Sequence, residues 1–437
     1  MPQSIHSPVE MDACSVRGRS NEGIACDKAT PANRTSLCNA NPHYDAFKRW
    51  KLVKLWLRFG LHSWHSRAVA AAPSLPPSPA SIDSLKPSPP PSSPPDTHDV
   101  QEVYQPIQVL GKGAFGTVTL SRKASTNTLV AIKSIDKSKM CEEESVRLLT
   151  ERAVLSTTQH PFLIYLDAAF ESPTHYHFVL EYCPGGDLYS LLECHHHLDA
   201  ALTTFYTASM LSALLYLHQV CGIAYRDLKP ENVLLDAKGF IRLSDFGLAK
   251  TNMIPSSITH SFCGSVDYMA PEVILGCGYG LAADVWSLGC VVFELLTGLP
   301  PFYTTAGRRA LFDRICSGHV MYPDDMPVEA CTFIAHCLQL DPQKRWTIRR
   351  LLDHPFMASV DWYQLGIQQV PVPYVPNLDH MEDTQHFGNQ FKSVPVPHDK
   401  LMRRTRSDSD ASGDFSAFDW CRDTCRQSTR AVPTSAV

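Results

Sequence analysis

The sequence predicts an α+β fold of two lobes, in which a small β-rich lobe precedes a larger, mainly helical lobe. Apolar runs with strand character flank a glycine-rich turn between residues 103 and 134, whereas apolar residues at helical spacing dominate from about Leu188 onward. The 437 residues suffice for one large domain with tails. Their content of 44% hydrophobic and 19% charged residues rules out a chain that is disordered throughout.

Residues 1–95 precede this domain and are predicted to form a disordered arm. Ten prolines fall within 73–95, mixed with serine, so this stretch is predicted to be an extended linker without a core. The arm carries 11 Lys and Arg against 6 Asp and Glu, although the net charge of the whole chain is −5. The net charge argues against a protein that coats nucleic acid, but it hides an asymmetry in which a basic arm joins an acidic body.

Within the arm, residues 44–67 have the pattern of a short basic amphipathic helix. Lys51, Lys54 and Arg58 fall on one helical face, and Trp56 lies among the apolar residues that are largely opposite. This pattern is typical of a segment that lies on an anionic membrane surface or in a groove. The alternatives are a helix that packs on the body of the protein and a segment that stays disordered.

The cellular compartment is predicted from the cysteines and from the lack of a hydrophobic targeting segment. The 15 cysteines are scattered over the chain and are read as reduced thiols. No hydrophobic signal core follows Met1, and no run of about 18 apolar residues predicts a membrane span. We therefore expect a cytoplasmic or nuclear protein, with 44–67 as a segment that could place it at a membrane periphery.

The first motif that indicates chemistry is a glycine-rich turn between two predicted strands. Glycines let the backbone approach phosphates closely and offer N–H groups to them. A dinucleotide-binding turn shares this spacing but leads into a helix, whereas this turn leads into 117–120, which has strand character. An oxidoreductase is therefore disfavoured. The residues predicted to bind phosphate are Gly111, Lys112, Gly113, Ala114, Phe115, Gly116 and Val118.

A lysine near the end of a predicted strand follows the turn, and a predicted helix comes next. Lys133, in the sequence Val-Ala-Ile-Lys, has the pattern of a lysine that pairs with nucleotide phosphates and with a helix glutamate. Glu151 is the predicted partner, because it lies centrally in the helix indicated by the helical spacing of four apolar residues, Val146, Leu149, Ala153 and Val154. The glutamates at 142–144 are alternatives, but they lie near the helix start, where acidic residues offset the dipole.

The most specific motif is Tyr-Arg-Asp-Leu-Lys-Pro-Glu-Asn at 225–232. This sequence resembles the catalytic loop of protein kinases, in which Asp227 would accept the proton of a substrate hydroxyl and Asn232 would hold a magnesium ion. Lys229 would neutralise charge on the transferring phosphoryl group. Thirteen residues beyond Asn232, Asp245 begins Asp-Phe-Gly and supplies a second ligand for magnesium.

Residues 104–356, which contain these motifs in order and also Ala-Pro-Glu at 270–272, resemble a eukaryotic protein kinase domain. The resemblance implies the bilobal kinase fold, ATP and Mg2+ as cofactors, and proteins as substrates. It also implies that Asp284 holds the catalytic loop and that Arg345 pairs with Glu272. The further ATP-binding residues that it implies are Ala131, the gatekeeper Leu180, and Glu181 and Cys183 of the hinge.

Within that family the sequence resembles the AGC kinases, the group that contains protein kinases A, B and C. The features that carry this resemblance are Tyr225 in place of the usual histidine, the hinge sequence 181–187 and the activation-segment sequence 261–265. Tail residues 387–391 resemble the segment whose first phenylalanine covers the adenine pocket in this group.

The AGC resemblance also implies roles in regulation and in substrate choice. Ser261 occupies the position of the residue that an upstream activating kinase phosphorylates, and a phosphate there could pair with Arg226. Asp187 beside the hinge and Glu231 in the catalytic loop match the acids that hold substrate arginines upstream of the target hydroxyl. We therefore expect basic, arginine-rich substrates.

Residues 357–425 resemble the C-terminal tail of the AGC kinases and include Phe-Ser-Ala-Phe-Asp-Trp at 415–420. This sequence resembles the terminal hydrophobic motif, so Phe415 and Phe418 are the predicted apolar anchors. Asp419 stands where the motif carries a phosphorylated residue and supplies a permanent negative charge. The phosphorylated turn that usually precedes the motif is not recognisable.

The leading hypothesis is a serine/threonine protein kinase that is regulated by activation-segment phosphorylation and by docking of its tail. The choice of serine and threonine over tyrosine follows from Lys229 and from the AGC resemblance. The alternative is a pseudokinase-type scaffold, which binds partners without catalysis. The presence of Lys133, Asp227, Asn232 and Asp245 argues against that alternative.

Overall fold

The structure is a computed structural model that describes residues 102–113, 116–391, 393–396, 402–404 and 418–422. These residues form a β-rich small lobe followed by a helical large lobe, which confirms the predicted α+β fold class. The predictions for the arm 1–95, including segment 44–67 and linker 73–95, lie outside the described residues. The same holds for three individual predicted residues, Ala114, Phe115 and Phe415.

Among the described residues, five antiparallel strands and one long helix build the small lobe. The strands pair in the order β1-β2-β3-β5-β4. They are β1 (Glu102–Lys112), β2 (Gly116–Lys123), β3 (Leu129–Asp136), β4 (Leu166–Glu171) and β5 (His175–Glu181), and helix α1 (Glu142–Thr157) connects β3 to β4.

Strand β3 illustrates how the sheet positions the site. Its side chains alternate between the two faces of the sheet with a period of two. Val130 and Ile132 are buried in an apolar cluster with Tyr104 and other residues on one face. Lys133 therefore belongs to the opposite face, where it contacts residues of both lobes.

Helix α1 is present as predicted, but only one of the four apolar residues whose spacing predicted it is buried. That residue is Val154, whereas Ala153 is exposed and Val146 and Leu149 are 60% and 48% exposed. Glu151 is also buried. Only one side of the helix faces the sheet, and that side carries Glu151. At the helix start, the Glu144 carboxylate accepts a hydrogen bond from the Cys141 N–H at 2.8 Å, so an acidic residue there serves as a cap.

The large lobe is built mainly from helices around an apolar core. Helices α3 and α5 are buried along almost their whole length and form its centre. The lobe contains α2 (Leu188–His195), α3 (Ala200–Leu215), a π-helical turn (Tyr216–Val220), strands β6 (Val233–Leu235) and β7 (Ile241–Leu243), α4 (Pro271–Ile274), α5 (Ala282–Thr297), α6 (Arg308–Ser317), α7 (Val328–Cys337), α8 (Ile348–Leu351) and α9 (Trp362–Gly366).

The helical stretch Ala200–Val220 is long and apolar enough, by length and composition, to cross a membrane, although the sequence was expected to contain no such run. Of its most apolar window, 72% is buried inside the large lobe. The apolar composition is thus accounted for by packing in the protein core.

The tail is more regular than its sequence predicts. Beyond Pro355 the chain was expected to be extended and without regular elements, yet it adds two strands to the small-lobe sheet. Strand β8 (Met402–Arg404) pairs with β1, and strand β9 (Trp420–Cys421) pairs with β4. The strand order becomes β8-β1-β2-β3-β5-β4-β9, so tail strands cover both edges. Strands of two or three residues leave no periodic signal in a sequence. They form because the edge strands of the sheet offer unpaired backbone groups.

Candidate active site

Asp227 lies in the loop between the π-helical turn and β6, and its carboxylate is fixed on both oxygens. Oδ1 accepts hydrogen bonds from the Ser265 N–H and hydroxyl, each at 2.9 Å. Oδ2 accepts from Lys229 Nζ at 2.8 Å and from Asn232 Nδ2 at 3.0 Å. Four donors therefore hold the carboxylate in one orientation. Ser265 belongs to the activation-segment sequence 261–265 that carries the AGC resemblance, but its bonds to Asp227 were not predicted.

The ammonium group of Lys229 lies between Asp227 and the activation segment. Nζ also donates to the Ser265 hydroxyl at 2.8 Å. Burial lowers the pKa of Lys229, but the carboxylates of Asp227 and Glu231 outweigh this effect and raise the pKa above its ordinary value. Lys229 is thus a fixed cation beside Asp227.

The backbone that presents Asp227 is held by Asp284 on α5. The two Asp284 oxygens accept the N–H groups of Tyr225 and Arg226 at 2.8 and 2.7 Å. Arg226 adopts a φ of +69°, a conformation that costs a non-glycine residue about 1–3 kcal/mol. His218, in the π-helical turn, lies 2.7 Å from Asp284 and supports it. The predicted role of Asp284 matches this geometry, whereas His218 had no signal in the sequence analysis.

Lys133 connects the two lobes. Its Nζ lies 2.7 Å from Glu151 Oε1 and 3.0 Å from Oε2, so the predicted pair with α1 is formed. It also lies 3.6 Å from Asp245 Oδ1. Burial lowers the pKa of Lys133, but Asp245 and Glu151 together raise it above its ordinary value. Lys133 in turn lowers the pKa of Asp245, which keeps that carboxylate ionised.

Two of the glycines in the predicted phosphate-binding turn shape the backbone, and the third leaves it open to a ligand. Gly113 donates its N–H to the Gly116 carbonyl at 2.8 Å and narrows the turn. A Cβ at Gly111 would meet nothing within 4 Å, so the backbone there is open to a ligand. A Cβ at Gly116 would lie 2.0 Å from the Ser134 carbonyl oxygen, so this glycine is required by the close packing of β2 on β3.

The side chains at Asn232 and Asp245 fit a magnesium ion bound together with ATP. Carboxylate and amide oxygens are the protein ligands that Mg2+ prefers, and Asp245 is 51% exposed at its side chain. Asn232 uses its Nδ2 for hydrogen bonds to the carbonyl and carboxylate of Asp227. No group of three His, Cys, Asp or Glu converges among the described residues, and Mg2+ usually takes its remaining ligands from phosphates and water.

The predicted adenine-binding residues lie at the end of β5 and beyond it. Ala131 and Leu180 are paired across β3 and β5. The Glu181 carboxylate accepts from the Tyr165 N–H at 2.9 Å and from Arg242 Nε at 3.1 Å, so its side chain fastens the hinge to both lobes. Burial raises the pKa of Glu181. Cys183 is also buried, and Val118 on β2 lies opposite Lys133.

The tail also packs on the hinge. The ring of Tyr182 stacks on Phe387, with centroids 6.0 Å apart, and its hydroxyl donates to the Asp383 carbonyl at 2.6 Å. A Cβ at Gly186, which has a φ of +73°, would lie 2.8 Å from the His386 carbonyl oxygen. Phe387 is therefore beside the hinge, as the resemblance implies. Tyr182 belongs to the predicted hinge sequence 181–187, but its contacts with the tail were not predicted, and Asp383 had no signal in the sequence analysis.

The two predicted substrate acids lie in neighbouring segments. The Asp187 carboxylate caps α2 by accepting the Ser190 N–H at 2.7 Å, and the backbone of Asp187 bridges to Leu234 on β6. Glu231 lies one residue before Asn232 and raises the pKa of Lys229 through its charge. Asp187 thus has a structural role in α2 that the resemblance did not indicate.

Ser261 lies directly beside the predicted phosphate partner. Arg226 Nη1 donates to the Ser261 hydroxyl at 2.6 Å and to the Tyr279 hydroxyl at 3.2 Å. The Tyr279 hydroxyl donates to the Ser261 carbonyl at 2.8 Å. The activation segment is therefore attached to the catalytic loop through Arg226.

A buried ion pair closes the activation segment. Arg345 Nη1 and Nη2 donate to the two oxygens of Glu272 at 2.5 and 2.6 Å, which is a bidentate pair. Both side chains are buried, and the guanidinium lies 5.1 Å from the ring of Trp286. This is the pair that the kinase resemblance implies.

Phe418 of the predicted hydrophobic motif is 2% exposed and packs on the small lobe. Its ring centroid lies 4.8 Å from that of Tyr176 and 5.4 Å from that of Phe178. Arg152, the residue after Glu151, donates to the carbonyl oxygens of Phe418 and Asp419 at 3.3 Å each. Asp419 Oδ1 accepts the N–H of Glu171 at 3.3 Å.

Comparison with known proteins places this geometry in a family. The model for "Protein kinase domain" matches residues 104–357, more than half of the chain. The serine/threonine-protein kinase gad8 of Schizosaccharomyces pombe is 34% identical over 77% of this chain and 59% of its own length. The RAC serine/threonine-protein kinase of Drosophila melanogaster is 39% identical over 68% of this chain and 49% of its own length.

The serine/threonine-protein kinase Sgk2 of Rattus norvegicus is 35% identical over 72% of this chain and 88% of its own length. The chain thus spans about half to three fifths of the length of gad8 and the Drosophila protein, and most of the length of Sgk2. The fold, the positions of the motif residues and these relatives agree. The chain belongs to the protein kinase family, within the AGC group of serine/threonine kinases.

Proposed function

We propose that this protein is a serine/threonine protein kinase that transfers the γ-phosphoryl group of ATP to arginine-rich protein substrates. The observation that carries the proposal is the constellation of Asp227, Lys229 and Asn232 beside the Lys133–Asp245 ion pair. An assay of ATP-dependent phosphorylation on a basic peptide tests it. Phosphorylated serine or threonine supports a kinase, whereas nucleotide binding without transfer would indicate a pseudokinase scaffold.

Each residue of the constellation has a chemical task in this proposal. Bound ATP with Mg2+ supplies an activated phosphoryl group. Asp227 accepts the proton of the substrate hydroxyl, and its four hydrogen bonds keep it oriented for that transfer. Lys229 and Lys133 offer positive charge to the phosphates, and Asn232 and Asp245 offer oxygen ligands to the metal.

Substrate choice gives the first prediction. Peptides with arginine upstream of the target serine should be phosphorylated roughly tenfold faster, in kcat/KM, than peptides with lysine there, because a carboxylate can bind a guanidinium through two bonds. Glu231→Gln should reduce this ratio. Asp187→Asn removes the charge but keeps a good N-cap for α2, so it separates substrate binding from helix capping. An arginine-to-lysine ratio unchanged in both variants would contradict the assignment.

We further propose two regulatory elements. Phosphorylation of Ser261 by an upstream kinase would strengthen its bond with Arg226 and order the activation segment, because a phosphate adds about −1.5 to −2 of charge. The tail would dock without modification, because Asp419 carries a permanent charge and Phe418 is already buried. Docking next to Arg152 would then hold α1, and with it the Lys133–Glu151 pair, in place.

The second prediction compares the two tail residues. Phe418→Ala should lower the activity of Ser261-phosphorylated protein severalfold or more, because removing a buried phenylalanine costs about 3–5 kcal/mol. Asp419→Ala should cost less, because it removes one hydrogen bond worth about 1 kcal/mol. Initial rates at matched Ser261 phosphorylation check this order. If Asp419→Ala were the more damaging variant, charge and not apolar docking would govern the tail.

Cellular location and membrane contact are proposals that rest on the sequence. We propose a cytoplasmic or nuclear kinase whose segment 44–67 binds anionic lipid weakly, at about 1 kcal/mol for each basic residue near the surface. The supporting feature is the interleaving of basic and apolar residues in that segment.

A further inference from the structure

The last described residues of the tail extend beyond the hydrophobic motif and end in a buried arginine. Trp420 and Cys421 pair with Ala169 and Ala168 of β4. The next residue, Arg422, is only 9% exposed, which is unusual for an arginine unless its charge has partners. Its position is therefore a specific one, fixed by contacts at the start of β4 and with Trp420, two residues earlier.

Those contacts lie at the start of β4. Arg422 Nε donates to the carbonyl oxygen of Leu166 at 3.3 Å. The guanidinium carbon lies 3.8 Å from the centre of the Tyr165 ring and 5.8 Å from that of Trp420, so the cation stacks on aromatic faces. Arg152 on α1 holds the same tail segment at its other end, through Phe418 and Asp419.

Tyr165 is in turn bound to the hinge by its backbone. Its N–H donates to the Glu181 carboxylate at 2.9 Å, and its carbonyl accepts the Glu181 N–H at 3.0 Å. The same carboxylate accepts from Arg242 on β7, in the large lobe, at 3.1 Å. A continuous set of contacts therefore runs from Arg422 through Tyr165 to Glu181, at the predicted adenine-binding hinge.

We propose that Arg422 is a positioning residue that couples the docked tail to the nucleotide-binding hinge through Tyr165. The inference deepens the proposed kinase function and rests on it. Arg152 and Phe418 act on α1 and thereby on the Lys133–Glu151 pair. Arg422 acts on the hinge, so its loss weakens nucleotide binding more than it slows phosphoryl transfer.

The test uses the full-length chain with Arg422→Met, which keeps the apolar stem, and Arg422→Lys, which keeps the charge but loses the planar group. Arg349→Met on α8 is the control, because Arg349 is exposed. Equilibrium binding of MgATP should weaken roughly fivefold in Arg422→Met, less in Arg422→Lys and not in the control. The KM for ATP should rise in parallel, with a smaller change in kcat.

Hydrogen exchange without nucleotide gives a readout that is independent of activity. The amides of 165–171 and of Glu181 should exchange faster in Arg422→Met. Tyr165→Leu should produce the same change, and combining it with Arg422→Met should add no further increase in exchange. Faster exchange in β4 alone, with hinge protection and MgATP affinity unchanged, would overturn the coupling. A wild-type chain that binds MgATP but phosphorylates no peptide would contradict the proposed function. MgATP binding and hydrogen exchange would still support or refute the coupling, because neither measurement depends on phosphoryl transfer.

Discussion

Asp245→Asn should abolish phosphoryl transfer while leaving the fold intact. In the proposed function the Asp245 carboxylate would be the anionic ligand offered to Mg2+, and a metal supplies several kcal/mol of charge stabilisation in the transition state, which is roughly 10³-fold in rate. Asparagine has nearly the same shape, and the side chain is 51% exposed, so packing should not change. Lys133 keeps Glu151 as its partner at 2.7 Å. Initial rates at saturating ATP and Mg2+ measure the effect.

The control for this substitution is Asp341→Asn, which removes a carboxylate that is 47% exposed on the surface of the large lobe. Its activity should equal that of the wild type. Circular dichroism and the unfolding midpoint establish that both variants are folded. Full activity of Asp245→Asn, with the same dependence on nucleotide, would contradict the kinase interpretation.

Glu272→Ala should produce a large loss of stability. Removing one partner of a buried ion pair leaves the other charge without compensation, which costs about 3–5 kcal/mol. Arg345 would keep its bonds to the carbonyl oxygens of Gln339 and Ala282, at 2.7 and 3.1 Å, but would lose both of its bonds to the carboxylate. Urea unfolding should show a clearly lower free energy of unfolding.

Two further variants separate this effect from a general sensitivity to substitution. Lys344→Ala removes a side chain that is 73% exposed, in a surface pair, and should change the free energy of unfolding by less than about 1 kcal/mol. Glu272→Met combined with Arg345→Met removes both charges and should recover part of the loss. A loss in Glu272→Ala no larger than that in Lys344→Ala would refute the assigned role of the pair.

The predicted motif residues come together in the structure because they lie in short, ordered motifs. Lys133 and Glu151 were paired correctly from one strand and one helix, and Asp227, Lys229 and Asn232 lie within six residues of one another. These are local patterns that dictate local geometry. The fold class followed for the same reason, since strand and helix periodicities are separated along the chain.

What sequence reasoning missed are contacts between distant segments. His218 supports Asp284 but belongs to no recognisable pattern. Tyr182 belongs to the predicted hinge, yet its bond to the tail at Asp383 had no signal in the sequence. The exposed Val146 and Leu149 show the same limit, because helical spacing predicts a helix but not which side is buried. Packing against other elements decides that, and it depends on the whole fold.

Completion of the small-lobe sheet has a consequence for how the chain is made. Strand β1 begins at Glu102, and its edge partner β8 ends at Arg404, roughly 300 residues later. During synthesis the five inner strands are available long before β8 and β9, so both sheet edges stay unpaired while the entire large lobe is translated. Unpaired edges are where chains join one another. The nascent protein should therefore pass through a period of self-association risk that ends only when Trp420 and Cys421 leave the ribosome and close the edge at β4.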